Sequence, residues 1–348
     1  MIALVYEGPR RMELRELDVP TISAEDVLIE VAYSGICGSE LSGYLGKNSL
    51  RQPPLVFGHE FSGRIAALGE RAGALRPDLS VGARVTANPL VSCGECRYCA
   101  AGLQQLCPSR KLLSASLPGS NATFVAVPAR NVYALPERVS LAQGALAEPI
   151  ACAVRAVDLA AASADTVSLV VGMGPIGIFT VQALRAAGVR RVLVADTNAE
   201  RLAYARGLGA ETINPRETDT VDAVRAMTDG AGVGLAIDAV GAGATRVACS
   251  HAVSPGGTVV FVGLHEADSM LPVNHYVRNE IRTVGSFAYG TAHFETALSL
   301  LEEGKAGLDA GIATAPLADG AAWYEKLLSD PGAVAKVLLT VSQEAAAE

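Results

Sequence analysis

One turn restricts this chain more than any other stretch. The apolar run Thr166-Val167-Ser168-Leu169-Val170-Val171 leads directly into Gly172-Met173-Gly174-Pro175-Ile176-Gly177. A helical pattern follows over residues 178–187. The run has the continuous apolar character of a buried parallel strand. Glycines at the three spaced positions permit a tight turn, let the backbone approach a pyrophosphate, and pack helix against strand. The helix N-terminus then offers free N–H groups to the anion. Gly172, Gly174, Pro175, Ile176 and Gly177 are therefore the expected cradle of a dinucleotide cofactor.

An acid at the right distance supports this assignment. Asp196 closes the next predicted strand, 191–196, about 20 residues beyond the last glycine, where a ribose-binding carboxylate belongs. It can accept from both ribose hydroxyls and repels a 2′-phosphate. Thr197 and Asn198 follow, with no arginine directly after the acid, which favours NAD over NADP. Arg201 keeps NADP open; it alternatively stacks on adenine or is a helix-face charge. Beyond it the pattern predicts helices over 201–208, 221–227 and 244–251. Strands are predicted over 210–214, 234–241, 258–263 and 282–287. Such alternation with glycine ends is that of an α/β doubly wound parallel sheet. Val240 and Val262, each next to a glycine at a strand end, are expected to border the nicotinamide half of the cofactor. An alanine-rich helix over 145–162 leads into this region.

The first 150 residues read differently. Short strands are predicted at 12–17, 26–32, 63–68, 82–86 and 123–127, punctuated by Gly and Pro, which suggests a partly open barrel. Cys93, Cys96, Cys99 and Cys107 crowd one loop. Four thiolates at such spacing wrap one tetrahedral ion and leave no open position, so the site is expected to be structural zinc. A second set is spread wider: Cys37, His59, Glu60 and Glu148. A catalytic zinc takes about three protein ligands and one open position. Cys37, His59 and one of Glu60 or Glu148 meet that requirement.

Composition excludes several classes. A net charge of −8 over 348 residues leaves no basic surplus for nucleic acid. No apolar run reaches the roughly 18–20 residues of a membrane helix. The opening residues lack a basic segment and cleavage site, and the clustered cysteines suggest metal rather than disulfides. A cytoplasmic enzyme without membrane or nucleic-acid partners is expected.

Cys37-Gly38-Ser39, Gly58-His59-Glu60, the four-cysteine lobe and Glu148-Pro149 occur in an order that resembles the zinc-containing medium-chain alcohol dehydrogenases, in the branch of sorbitol, threonine and related polyol dehydrogenases. The likeness covers nearly the whole chain. It implies a GroES-like β-barrel catalytic domain over 1–148 with a structural zinc lobe near 90–110. It further implies a Rossmann cofactor domain over 149–286 and a segment, 287–348, that returns to the first domain. Helices over 293–303 and 323–328 and a strand over 335–341 are expected there, with 343–348 frayed. The resemblance assigns two zinc ions per chain, catalytic at Cys37, His59 and Glu60 or Glu148, structural at the cysteine quartet. Ser39 hydrogen-bonds the substrate hydroxyl and passes its proton outward. A dimer or tetramer is implied.

The implied activity is reversible oxidation of a secondary alcohol in a polyol-like small molecule, a sugar alcohol or its phosphate, with hydride transfer to NAD. Aminocyclitols of the 2-deoxy-scyllo-inosamine type and L-threonine are alternative substrates. A non-catalytic NAD-binding sensor with structural zinc alone is the rival of another class. The chain departs from the pattern in three places. Glu40 stands where Asp is usual, and Ser42 where many members carry the outer histidine of the proton relay. Ser120-Asn121-Ala122-Thr123 replaces a Gly-Gly strand entry, where substrate contacts are expected to differ.

Overall fold

Strand Asp26–Gly35 explains the first unit. Its residues alternate so that Val27, Ile29 and Val31 are wholly buried against Phe61, Ile65, Val85, Val125 and Val127. That period of two is the signature of a half-buried sheet face. The computed structural model describes residues 1–308, 310–330, 332 and 334–342; the stretch expected to fray, 343–348, lies outside them. Residues 1–148 and the segment from Gly290 onward form one compact unit, and Pro149–Tyr289 form the other.

In the first unit, the sheet runs in the order Val132–Ala134, Arg84–Ala87, Glu60–Leu68, Asp26–Gly35, Lys336–Thr340, Ile312–Pro316, with Phe124–Pro128 also on Asp26–Gly35. Antiparallel pairing puts Gly35 opposite Glu60 and, on the other side, opposite Leu338. A strand from the far end of the sequence thus lies next to the strand that leads to Cys37. A second core gathers Leu4, Tyr6, Tyr44, Phe57, Tyr324 and Leu339. Tyr6 stacks on Phe57 with ring centroids 4.8 Å apart.

The second unit is a parallel six-stranded sheet ordered Glu211–Ile213, Val192–Ala195, Ser168–Val171, Val233–Asp238, Val253–Phe261, Arg282–Gly285. The chain order reverses beside Ser168–Val171, the switch point where such sheets bind nucleotides. The expected α/β class holds, with local corrections. The helix after the glycine turn begins at Pro175, so Gly177 lies inside its first turn. Proline fits there because its missing N–H is one the first turn leaves unbonded anyway.

Elements without a clear signal in the sequence include strands Ile2–Gly8 and Ile312–Pro316 and helices Gly38–Tyr44 and Val273–Asn279. Gly38–Tyr44 carries two glycines and two serines, all weak helix formers, and has no side-chain N-cap. Its buried Glu40 and Tyr44 hold it in place. Among the described residues no helix is long and apolar enough to cross a membrane.

Candidate active site

The site is built around a sharp turn. Gly58 has φ +100°, and a Cβ there would run into Ser120, Asn121 and Ser34. Ser34 Oγ donates to Asn121 Oδ1 at 2.7 Å, and Ser120 N donates to Gly58 O at 2.9 Å. Ser120 and Asn121 are fully buried, so this unusual segment supports the Gly58 turn from beneath. The turn aims His59 toward Cys37, which caps helix Gly38–Tyr44, while Glu60 opens the next strand. Cys37, His59 and Glu60 each bring one ligand atom within 4.8 Å of the others.

Glu40 holds this turn together. With its side chain wholly buried, it accepts from Gly58 N (2.9 Å), Ser114 Oγ (2.6 Å) and Tyr324 Oη (2.8 Å), and lies 2.6 Å from His59 Nδ1. A carboxylate only accepts, so Nδ1 donates to Glu40 and Nε2 is the nitrogen left to face a metal, which it would bind on losing any proton it carries. Burial pushes the Glu40 carboxyl up, but the charge and hydrogen bond of His59, the charge of Arg51 and the Ser114 hydroxyl outweigh it and hold it at about 2. Burial likewise opposes charge on His59, yet Glu40 and Cys37 raise its pKa well above 6.5. Negative groups around an imidazole make a place that favours a cation, which is the fit expected of a zinc site.

Lys336 was not anticipated. Its Nζ lies 2.5 Å from Glu60 Oε2 and 3.2 Å from Ile36 O. Burial pulls its pKa down, but Glu60, Cys37 and Glu148 together raise it above 10.5. Glu148 is buried in the first turn of helix Ala147–Ala160 and stands outside the Cys37–His59–Glu60 trio. Ser39 is half-buried; its hydroxyl donates to Cys37 Sγ at 3.5 Å and accepts from Arg51 Nη2 at 3.2 Å. A lysine at an inward position of a terminal apolar strand was the available signal for Lys336, since unpaired buried lysines are rare. Arg51, Ser114 and Tyr324 had none.

The four-cysteine loop closes on itself. Sγ atoms of Cys93 and Cys99 are 3.8 Å apart, Cys96 and Cys99 3.5 Å, Cys107 and Cys93 3.6 Å. All four are free thiols. Metal–sulfur bonds of about 2.3 Å give a tetrahedron with edges of about 3.8 Å, whereas a disulfide is about 2.05 Å. The backbone N–H groups of Glu95 and Cys96 lower the Cys93 thiol to about 6. The set fits one four-coordinate zinc.

In the second unit, Gly172 has φ +93°, and a Cβ there would strike the Val240 side chain; one at Gly177 would strike the Gly172 carbonyl oxygen. Gly174 caps the helix without a side chain, leaving first-turn N–H groups free. Asp196 Oδ2 accepts from Met173 N at 2.6 Å and Oδ1 from Asn198 N at 2.8 Å. The carboxylate is thus pinned at the glycine turn. Asn198 caps helix Ala199–Gly207 through Glu200 N and Arg201 N. Arg201 has a buried Nε without a hydrogen-bond partner. Asp238 organises the other edge, accepting from Val240 N at 3.0 Å through its side chain and from Val262 N at 3.0 Å through its carbonyl. Val240 lies against Gly172, and Val262 follows the neighbouring strand's end.

Comparison with known proteins agrees with both units. The family model described as alcohol dehydrogenase GroES-like domain matches residues 23–137, and that described as zinc-binding dehydrogenase matches 175–303. The chain is 32% identical over 345 residues to D-arabitol-phosphate dehydrogenase of Enterococcus avium, covering 97% of this chain and 96% of the relative. It is 32% identical to sorbitol dehydrogenase of Bacillus subtilis over 84% of each. Among solved structures, galactitol-1-phosphate dehydrogenase from Escherichia coli superposes with a TM-score of 0.90 at 28% identity, covering 98% of this chain and 100% of that one.

Proposed function

Since the chain belongs to the zinc-containing medium-chain alcohol dehydrogenases, in their polyol branch, we propose that it oxidises a secondary alcohol of a sugar alcohol or its phosphate to the ketone, with NAD as hydride acceptor. The observation that carries this reading is the Cys37–His59–Glu60 trio, oriented by Glu40 and flanked by Ser39. Cys37, His59 and Glu60 hold the catalytic zinc, with Glu148 the alternative carboxylate. Cys93, Cys96, Cys99 and Cys107 hold the structural one.

Zinc bound at the trio supplies a Lewis acid that makes an alcohol hydroxyl a stronger acid. Glu40 keeps the His59 ring in one tautomer and one orientation. Ser39 accepts the proton of the substrate hydroxyl and gives up its own to water, no proton being gained or lost overall. A nicotinamide cofactor bound by the second unit would supply the hydride acceptor. Gly172, Gly174, Pro175, Ile176 and Gly177 receive its pyrophosphate, Asp196 the adenosine ribose, and Val240 and Val262 line the nicotinamide half, with Arg201 near the adenine. A dimer or tetramer is the expected assembly.

The test is NAD and NADP reduction by zinc-loaded protein with D-sorbitol, D-arabitol, galactitol 1-phosphate, an aminocyclitol and L-threonine. Turnover of a sugar alcohol or its phosphate with NAD is expected. Turnover restricted to NADP overturns the Asp196 reading, and turnover restricted to the aminocyclitol or L-threonine moves the substrate class. No turnover together with zinc at the cysteine quartet alone would favour a non-catalytic sensor.

A further inference from the structure

Arg51 is a buried cation with no carboxylate partner among the described residues. It is 4% exposed, and among the described residues no acidic oxygen lies within 4.0 Å of its guanidinium. Glu40 feels its charge but does not pair with it. One Nη donates to Ser39 Oγ, Nε is buried with no hydrogen-bond partner, and the group lies over the Phe57 ring, 5.8 Å from its centroid. Gly43 leaves the room for it, since a Cβ there would collide with Arg51 Cδ. Keeping a charged donor buried and partly unsatisfied is costly. An apolar side chain would fill the same space beside Phe57 without that cost, and it would lose the bond to Ser39.

We propose that Arg51 is the positioning residue of Ser39, fixing which side of the serine hydroxyl meets the substrate. A hydroxyl has one proton and two lone pairs. In this structure the proton faces Cys37 Sγ and Arg51 occupies one lone pair, which leaves a single acceptor position on Oγ. The substrate hydroxyl donates there. Arginine has no acceptor atom and stays protonated, so it does not itself relay the proton; its charge steadies Oγ while the proton passes. The inference rests on the role proposed for Ser39.

Two measurements on the full-length, zinc-loaded chain test it. The first is a kinetic cycle of wild type, Ser39→Ala, Arg51→Met and the double variant with D-sorbitol, D-arabitol and galactitol 1-phosphate, zinc content being checked for each. Arg51→Met is expected to lower kcat roughly ten- to hundredfold, as for a charged hydrogen bond, with KM little changed. In the Ser39→Ala background it is expected to cost less than about twofold, because coupled residues are not additive. Arg51→Lys restores part of the rate and carries the same cycle if the Met variant does not fold. Equal losses in both backgrounds, or a wild-type Arg51→Met, overturn the inference while Ser39 keeps its role. A wild-type rate for Ser39→Ala overturns the serine reading itself. The second measurement needs no substrate: in protein labelled with 15N-arginine, the Arg51 Nη–H resonances should shift and exchange faster in Ser39→Ala. Unchanged resonances sink the proposed bond.

Discussion

The Lys336 ammonium lies 2.5 Å from the Glu60 carboxylate, with only 2% and 1% of the two side chains exposed. Glu60 also reaches toward Cys37 and His59, so one carboxylate stands between a fixed internal cation and the place proposed for a metal. Breaking a buried pair by removing one partner costs about 3–5 kcal/mol, because the other charge is stranded. Lys336→Met is therefore expected to destabilise the metal-free protein by that amount. Zinc should recover part of the loss, so its stabilising effect in denaturant titrations should be larger in the variant than in wild type. Equal zinc effects in both would mean that Glu60 does not share its charge with the metal.

The two groups of potential ligands should empty independently. Cys96→Ser is expected to take the zinc count from two per chain to one while Cys37 and His59 stay loaded. Cys37→Ser should remove the other ion and leave the quartet filled. Elemental analysis after dialysis reads both, and loss of both ions from either variant contradicts two separate sites.

Asp196→Ala removes the acceptor proposed for the ribose and releases Met173 N and Asn198 N. A hydrogen bond to a charged group is worth about 1.5–3 kcal/mol, so kcat/KM for NAD should fall roughly ten- to hundredfold. The value for NADP should fall less or rise, since a repelling charge is gone. A parallel fall for both cofactors argues for a purely structural carboxylate.

Alkaline stability should depend on Tyr133. Its ring packs on Phe294 with centroids 4.9 Å apart. Burial and the charge of Glu295 push its phenol up from 10.0 to about 12. A folded-state pKa raised in this way gives stability that is intact below pH 10.0 and is lost as pH climbs through about 12. Between about pH 8 and about pH 11 this group accounts for about 1 kcal/mol of loss. Tyr133→Phe should lose less stability than wild type over that interval by this amount. Identical pH dependence would place the phenol in water.

Features that are consecutive in the sequence were legible in it. Strand, glycine turn, helix and Asp196 follow one another within 166–196, so spacing alone suggests the sheet. The cysteine quartet occupies one loop for the same reason. Cys37 and Glu60 are also readable, because an antiparallel pair brings Gly35 opposite Glu60 after a short excursion. Arg51 and Tyr324 were not, because no local period records them, and Lys336 stands out only as a lysine in an apolar strand, with nothing nearby to mark its partner. Lys336 reaches Glu60 across 276 residues and Tyr324 reaches Glu40 across 284, through pairings that only the completed sheet creates. Glu40 stands out in the sequence as a departure from Asp, but two of its four partners, Ser114 and Tyr324, come from distant segments and the other two from the Gly58–His59 turn.

The seating of strand Lys336–Thr340 between Asp26–Gly35 and Ile312–Pro316 sets a timetable for synthesis. Pro149–Tyr289 is continuous, and a growing chain holds all of it once Tyr289 has emerged from the ribosome. The sheet beside Cys37 and His59 still lacks an inner strand at that moment, although its other parts were made first. Domains fold as units as they appear. The cofactor half is thus ready while the older half waits for the youngest residues. During that wait Glu60 has no lysine to meet.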